Sequence, residues 1–172
     1  QWKLLRKDMQ LIFQDPYSAL DPKQGIGDAI LEPILIHKLC ATKNNAKERV
    51  YELLLKVGLK EDMYYRYPHQ FSGGQRQRIC IARALALEPK FLVCDEPVSA
   101  LDVSVQAQIL NLLKDLRDEL KLSMLFITHD MSVVRFLADR IAVMHEGSIV
   151  EYGNCEQIIN NPQHEYTQQL ID

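Results

Sequence analysis

An α/β fold with a parallel sheet and an inserted helical segment is the architecture that this sequence predicts. The main observation is the alternation of short apolar runs with amphipathic segments in the second half of the chain, which is typical of strand–helix–strand units. A second observation is the stretch from residue 28 to residue 87, where helical patterns follow one another without an intervening strand. We therefore expect a parallel sheet whose first strand precedes a helical subdomain.

The first strand is predicted at Met9–Phe13, a short apolar run that ends in a polar, turn-forming sequence. The first helix of the insert covers residues 28–37, and Pro33 is expected to interrupt it because proline lacks a backbone N–H donor. The next helix covers residues 47–57, carries its apolar side chains on one face and has Gly58 as its C-cap.

The third helix of the insert spans residues 72–87 and is followed by Pro89. The remaining elements alternate and end in a hairpin and a helical tail: strands at 90–95 and 123–128, helices at 103–120 and 131–138, a hairpin at 140–153, and short helices at 157–160 and 165–171. Every apolar run is shorter than the roughly 20 residues that a membrane-spanning helix needs.

Composition argues against several classes of protein. The net charge is -3 and the pI is about 6.0, so no overall basic character favours nucleic-acid binding. The 4 cysteines contain no Cys-x-x-Cys pair, which favours a reducing, cytosolic setting over a disulfide framework or a zinc site. With 47% hydrophobic and 25% charged residues among its 172, the chain suits one globular domain or most of one.

Two adjacent carboxylates, Asp95 and Glu96, close the apolar run in the sequence FLVCDEP. Ligands of parallel sheets bind beyond the carboxyl ends of the strands. Asp95 is therefore a candidate Mg²⁺ ligand, and Glu96 is a candidate base for a water that attacks a phosphate. Pro97 ends the strand at that point. Taken alone, an Asp–Glu pair after four apolar residues is more typical of a solvated turn.

The sequence FSGGQRQR indicates a second functional feature, at a helix start. Ser72 and Gln75 have the spacing of a capping box, and Gly73 and Gly74 leave backbone N–H groups open to an anion at the positive end of the helix dipole. Three arginines follow in the same helix and complete the expected phosphate site: Arg76, Arg78 and Arg83. The alternative is a plain capped helix, although two glycines in a first turn lower helix stability and require a reason.

Two further polar residues follow predicted strands. His129, in the sequence FITHDM, is placed to hydrogen-bond a γ-phosphate and to hold an attacking water. The Gln14 amide is placed to ligate Mg²⁺ or to contact that water. Each residue also has a simpler interpretation, as an inert loop histidine and as a turn-forming glutamine.

The order of these segments, with SALD after FLVCDEP, resembles that of the ATP-binding-cassette (ABC) ATPases, the motors of membrane transporters. The resemblance covers essentially the whole chain and implies a P-loop NTPase-like sheet, ATP and Mg²⁺ as ligands, and ATP hydrolysis. It implies Glu96 as catalytic base and His129 as switch histidine, with Asp95 and Gln14 toward the metal. The implied nucleotide contacts are Gln14, the signature residues Ser72, Gly73, Gly74 and Gln75, and Asp102 of the D-loop.

The resemblance also implies partners and a location. A second ATPase subunit is expected to bind head to tail, so that the signature of one subunit covers ATP bound to the other. Permease subunits are expected to dock in a groove near Tyr17 and Leu20, with Tyr64, Tyr65 and Tyr67 on its other side. The alternative is that Tyr17 and Leu20 pack onto the helices of the chain itself. The protein would be a peripheral subunit at the cytoplasmic face of the membrane, without a nucleic-acid partner.

Four segments follow from the same resemblance. They are the first strand and Q-loop of the ATPase core (1–24), a helical subdomain ending in the signature helix (25–90), the core with the Walker B acids, D-loop and switch histidine (91–153), and a C-terminal helical tail (154–172).

Two stretches narrow the subfamily. IFQDPYSALDP and NNPQHEYTQQLI resemble the oligopeptide and dipeptide importer subunits, with which nickel importers share a subfamily. Phe71 and Glu165 depart from the family, in which leucine and proline respectively are commoner. No G-x-x-x-x-G-K-[ST] phosphate loop occurs in the sequence. We therefore expect the C-terminal part of a nucleotide-binding domain, which does not hydrolyse ATP alone.

Two other functions stay open at this point. The first is a non-transport ABC-type ATPase that acts on nucleic acid, which long coiled-coil insertions or strongly basic segments would mark. The second is a scaffolding module that has lost its chemistry, and the presence of Glu96 and His129 argues against it.

Overall fold

The computed structural model describes residues 2–171, with side chains from Leu5 onward. The elements are α1 (Trp2–Asp8), β1 (Met9–Ile12), α2 (Ile26–Ile36), α3 (Lys43–Lys56), α4 (Gly73–Leu85), β2 (Phe91–Asp95), α5 (Val103–Leu120), β3 (Ser123–Ile127), α6 (Met131–Leu137), β4 (Arg140–His145), β5 (Ser148–Asn154), α7 (Cys155–Asn160) and α8 (Glu165–Ile171). Short 3₁₀ turns cover Glu61–Tyr65 and Pro68–Gln70. The chain divides into two compact units, which meet in sequence between Leu125 and Phe126.

The first unit contains the parallel sheet that the sequence predicts. Its strand order is β1-β2-β3, and β3 continues across the boundary into the second unit. β1 and β2 pair in parallel, from Met9 beside Phe91 to Ile12 beside Cys94. The predicted α/β fold with a parallel sheet is therefore confirmed.

The two faces of this sheet differ in burial. Ile12, Leu92 and Cys94 share one face and are at most 1% exposed, and α4 packs against β1. On the opposite face Met9 is 47% exposed and Leu11 is 41% exposed. Because side chains alternate along a strand, one apolar face forms the core and the other is largely open in the described part of the chain.

The helical insert is held by buried apolar side chains of α2, α3 and α4, which pack on one another. The prediction that Pro33 interrupts the first helix is wrong, since α2 runs from Ile26 to Ile36 through it. Proline removes one N–H donor from the helix, and the fully buried side chains of Ile30 and Ile34 hold the segment in place.

The second helix of the insert is longer than its apolar pattern indicates. α3 begins at Lys43, where Thr42 caps it by accepting a 3.2 Å hydrogen bond from the N–H of Asn45. At its other end Gly58 has a φ of +77°, and the Leu59 N–H donates to the Leu54 carbonyl at 2.8 Å. The C-cap is therefore Val57 rather than the predicted Gly58, which follows it with the left-handed backbone that ends the helix.

The second unit is the predicted hairpin with its helices. β4 and β5 pair antiparallel around the turn at Glu146 and Gly147, both of positive φ. The core of this unit consists of Ile141, Val143, Ile158 and Ile159. Among the helices of the described residues, none has the length and apolarity required to cross a bilayer.

The PQHEYT sequence of the tail has a structural role within this unit. The Glu151 carboxylate accepts the N–H groups of Gln163 at 2.9 Å and His164 at 3.1 Å. The Tyr166 ring stacks on the His145 imidazole, with centroids 4.0 Å apart. These contacts fasten the start of α8 to the hairpin.

Candidate functional site

The ends of β1 and β2 bring together two residues that the sequence analysis selected. The Gln14 Nε2 donates a hydrogen bond to the Glu96 Oε2 at 3.0 Å. The two residues are 82 positions apart, the same offset as in every β1–β2 pair from Met9 and Phe91 onward. The contact therefore continues the register of the parallel strands, and we name Gln14, Asp95 and Glu96 the strand-end centre.

The backbone at Glu96 is strained in a way that the sequence did not predict. Its φ is +42°, in the left-handed region that side chains other than glycine rarely adopt. The Ser99 N–H and Oγ both donate to the Glu96 carbonyl, at 3.2 and 3.0 Å. Pro97 is buried beside it. This turn ends β2 and fixes the direction in which the Glu96 carboxylate leaves the strand.

Asp95 is half-buried and ends β2 on the same face as Phe91 and Val93, the more open face of the sheet. Asp95 and Gln14 both offer oxygen atoms, the donors that Mg²⁺ prefers. Within residues 2–171 no group of three or more His, Cys, Asp or Glu side chains could hold a metal ion. A centre with one carboxylate and one amide fits an ion that keeps several waters and takes phosphate oxygens as further ligands.

The signature segment forms the capped helix start that its spacing predicts. The Ser72 Oγ accepts the Gln75 N–H at 3.3 Å, and the Gln75 Oε1 accepts the Ser72 N–H at 3.0 Å. Because each of these side chains accepts the backbone N–H of the other residue, the N–H groups at the start of α4 that remain for a ligand are those of Gly73 and Gly74.

Close packing gives the signature glycines a reason within the same chain. A Cβ on Gly74 would overlap the Cγ1 of Val105, and a Cβ on Gly73 would lie 3.3 Å from the Cδ2 of Leu101. α4 therefore starts against the D-loop and the first turn of α5, whose N-cap is Asp102. Gly74 is required by this approach whether or not a nucleotide is bound.

The expectation that the three arginines of α4 complete a phosphate site is wrong. Each donates to a backbone carbonyl of a neighbouring segment: Arg76 Nε to Pro68 at 2.8 Å, Arg78 Nη1 to Val57 at 2.6 Å, and Arg83 Nη1 to Ala19 at 2.7 Å. Their guanidinium groups are part-buried and are used to hold α4 in the fold.

The residues of the expected groove near Tyr17 and Leu20 differ in exposure. Leu20 is 3% exposed and belongs to the core, so its predicted place on an exposed surface is wrong. Tyr64 is also buried, and its hydroxyl donates to the Asp28 Oδ1 at 3.1 Å. Tyr17, Tyr65 and Tyr67 remain exposed, at 59%, 68% and 44%.

His129 lies in the second unit, two residues after the end of β3. The following residue, Asp130, caps α6 by accepting the Ser132 N–H at 2.8 Å. The Ser132 hydroxyl donates to the same carboxylate and is the main cause that lowers the pKa of Asp130. The loop that carries His129 is thus fixed on its C-terminal side by a charged cap.

A comparison with known protein families identifies the family of this chain. The sequence model described as ABC transporter matches residues 1–99, which include the strand-end centre and the signature. The chain belongs to the ABC transporter family.

Curated members of the ABC transporter family are similar over nearly the whole chain. The oligopeptide transport ATP-binding protein OppF of Haemophilus influenzae is 52% identical over 171 residues. The glutathione import ATP-binding protein GsiA is 54% identical in Pectobacterium atrosepticum and 56% identical in Escherichia coli, in each case over 167 residues. The alignments cover 97–99% of the chain, but 52% of OppF and 27% of each GsiA.

Two solved ABC structures share the fold. A dimeric post-hydrolysis state of the cassette MJ0796, bound to ADP and Pi, superimposes with a TM-score of 0.76 at 31% identity, covering 89% of this chain and 66% of that one. CbiO1 from Clostridium perfringens, part of the transporter complex cbiONQ, gives 0.80 at 29% identity, covering 92% and 62%.

Proposed function

We propose that this chain is part of the ATP-binding and ATP-hydrolysing subunit of an importer for oligopeptides or dipeptides. The observation that carries the proposal is the hydrogen bond between Gln14 and Glu96, which joins two strand ends beside Asp95. The relatives support the cargo class, since OppF is named for oligopeptide transport and GsiA for import of glutathione, itself a short peptide.

In this proposal, the strand-end centre acts on the γ-phosphate of ATP. Glu96 accepts a proton from a water whose oxygen attacks the γ-phosphorus, the bond to the β-phosphate oxygen breaks, and ADP and phosphate leave. Gln14 holds the carboxylate through its amide N–H and turns its amide oxygen toward the metal site with Asp95. Bound Mg²⁺ would neutralise charge on the phosphates. His129 contacts the γ-phosphate and keeps the water aligned.

The signature serves a different nucleotide. The N–H groups of Gly73 and Gly74 bind ATP that is held by a second ATPase subunit in a head-to-tail pair, with Ser72, Gln75 and Asp102 shaping the approach. The dimeric state of the related cassette MJ0796 with ADP and Pi supports this arrangement.

The exposed apolar face of the sheet supports the proposal that this chain is part of a larger nucleotide-binding domain. Parallel strands are buried on both faces in α/β proteins, whereas Met9 and Leu11 are more than 40% exposed. We propose that another part of the domain, which carries the phosphate loop, covers this face. In that domain residues 1–24 and 91–153 belong to the ATPase core, 25–90 to the helical subdomain and 154–172 to the tail.

Exposed aromatic side chains mark the side that meets the membrane subunits. Tyr17, Tyr65 and Tyr67 are the residues of the expected groove that remain accessible, and exposed aromatic clusters are typical of protein interfaces. We place the subunit at the cytoplasmic face of the membrane, bound to permease subunits through this surface. The cbiONQ complex, of which the similar protein CbiO1 is part, supports such an assembly.

Calorimetric titration with Mg-ATP, together with an ATPase assay, tests whether the phosphate grip lies outside the 172-residue chain. The full-length protein should bind ATP and hydrolyse it, whereas the 172-residue chain should bind it weakly or not at all, since its sequence lacks a phosphate loop. Absence of ATPase activity in the full-length protein would refute the proposed function. Micromolar affinity in the 172-residue chain would refute the proposal that the phosphate grip lies elsewhere.

A further inference from the structure

The loop that follows Gln14 has an ordered structure of its own. The Asp15 carboxylate accepts the N–H groups of Tyr17 at 2.8 Å and Ser18 at 3.3 Å, and the Ser18 Oγ donates to the Asp15 carbonyl at 3.2 Å. The Tyr17 N–H is the main cause that lowers the pKa of Asp15. Residues 15–20, here named the post-Gln14 loop, therefore begin with a compact, hydrogen-bonded turn.

One face of α4 holds this loop at three points. Arg83 Nη1 donates to the Ala19 carbonyl at 2.7 Å, the Cys80 Sγ lies 3.9 Å from the Pro16 carbonyl, and the Arg76 guanidinium carbon lies 4.9 Å from the centre of the Tyr17 ring. The three α4 residues are four and three positions apart, so they share one side of the helix.

The three contacts differ in strength. Arg83 makes a part-buried hydrogen bond from a charged donor, the strongest type present here. Cys80 is buried, which raises the pKa of its thiol to about 11, and a thiol is a weak donor. The Tyr17 ring is largely exposed, so its cation–π contact is screened by water. Arg83 is thus the main fastening.

We propose that these three contacts, here named the clamp, tie the signature to the strand-end centre of the same chain. Arg83 acts in the clamp as a positioning residue for Gln14. The inference rests on the proposed function. α4 begins at the signature, and its later turns hold the loop that begins one residue after Gln14. Through this loop Arg83 positions Gln14, whose amide N–H donates to the Glu96 carboxylate at 3.0 Å. The rate of hydrolysis at the centre thus depends on Arg83.

The chain offers a matched control for Arg83. Arg78 lies on the same helix and donates a bond of the same kind, also part-buried, to the Val57 carbonyl at 2.6 Å. Val57 ends α3 and has no place in the post-Gln14 loop. Arg83→Met and Arg78→Met remove equivalent bonds, and only the first should loosen the loop. Arg83→Lys keeps a cation and one donor group, so it should restore part of the effect.

Amide hydrogen exchange and steady-state ATPase kinetics in the full-length protein test the clamp. Arg83→Met should speed exchange across residues 17–20 and lower kcat about 2- to 30-fold with little change in the KM for ATP. Arg78→Met should change neither quantity, and Arg83→Lys should fall between. Tyr17→Leu, a surface change, should also speed loop exchange, whereas Tyr17→Phe keeps the ring and should not.

Each outcome decides one part of the proposal. Unchanged exchange in both Arg83→Met and Tyr17→Leu would overturn the clamp, and Tyr17→Leu decides alone if the arginine variant does not fold. Faster exchange with unchanged kcat would overturn the link to hydrolysis. Because exchange is measured without nucleotide, a parent protein that lacks ATPase activity would refute the proposed function and still leave the clamp to be judged by exchange.

Discussion

The strand-end centre and the signature are built in opposite ways. The strand-end centre presents side chains, since Gln14 bonds to Glu96 across two strands and Asp95 faces the open side of the sheet. At the signature, the Ser72 and Gln75 side chains each accept the backbone N–H of the other residue, and the backbone N–H groups of Gly73 and Gly74 remain for a ligand. A substitution at the first region should therefore remove activity and spare the fold, whereas a substitution at the second should change packing and helix stability as well as binding of the ATP held by the other subunit.

The sharpest test of the first region is Glu96→Gln in the full-length protein. The amide keeps an oxygen that can accept the Gln14 hydrogen bond, but it does not take up a proton from water. Hydrolysis should fall roughly 10²–10⁴-fold while ATP binding and thermal stability persist. Steady-state ATPase assays and calorimetry measure the two effects.

Glu146→Gln is the matched control for that change. Glu146 also has a left-handed backbone, with a φ of +47°, but it lies in the β4–β5 turn. Its substitution should leave hydrolysis within about 2-fold of the parent, as is usual for a surface change. Equal loss of activity in both variants, or normal turnover in Glu96→Gln, would show that Glu96 is only a polar strand end.

The second region should respond to added volume. Gly74→Ala places a methyl group against Val105, and overpacking of this kind destabilises by about 1–3 kcal/mol. Gly73→Ala meets only the tip of the Leu101 side chain and should be nearly neutral, since alanine also favours the helix. Chemical denaturation measures both, and Val105→Ala should rescue Gly74→Ala. Equal stability of the two single variants would contradict the packing described for Gly74.

A smaller effect is expected from the helix cap. Ser72→Ala removes the oxygen that accepts the Gln75 N–H and should lower stability by about 1 kcal/mol. Thr42→Ala removes the equivalent cap of α3, at a similar cost. Thermal unfolding should therefore not separate them. ATP-driven subunit association should weaken in Ser72→Ala alone, and an equal weakening in both would assign the effect to general stability.

Local features of both regions could be predicted from the sequence. The capping box depends on residues three apart, and the acids at the end of β2 depend on one apolar run, so short patterns sufficed for each. The α3 start at Lys43 was missed because its first turn has no apolar face. Pro33 was misjudged because tertiary burial of the neighbouring isoleucines outweighs the missing donor.

Long-range contacts were beyond the sequence patterns. The partners of Arg83 and Cys80 lie 64 residues away, and the Gln14–Glu96 bond spans 82. The pairing of β1 with β2 brings Gln14 to Glu96, and the packing of α4 on β1 brings Arg83 and Cys80 to their partners. Leu20 is only 3% exposed, although the turn-rich sequence around it predicted a surface position.

The mass of the Glu96→Gln protein in Mg-ATP tests the central claim most directly, that one chain hydrolyses ATP at its strand ends and grips a second ATP with its signature. By size-exclusion chromatography with light scattering, this variant of the full-length protein should shift from the mass of one subunit to that of a pair, and adding Gly74→Ala should abolish the shift. A mass that does not respond to ATP, or a pair that forms regardless of Gly74, would contradict the account.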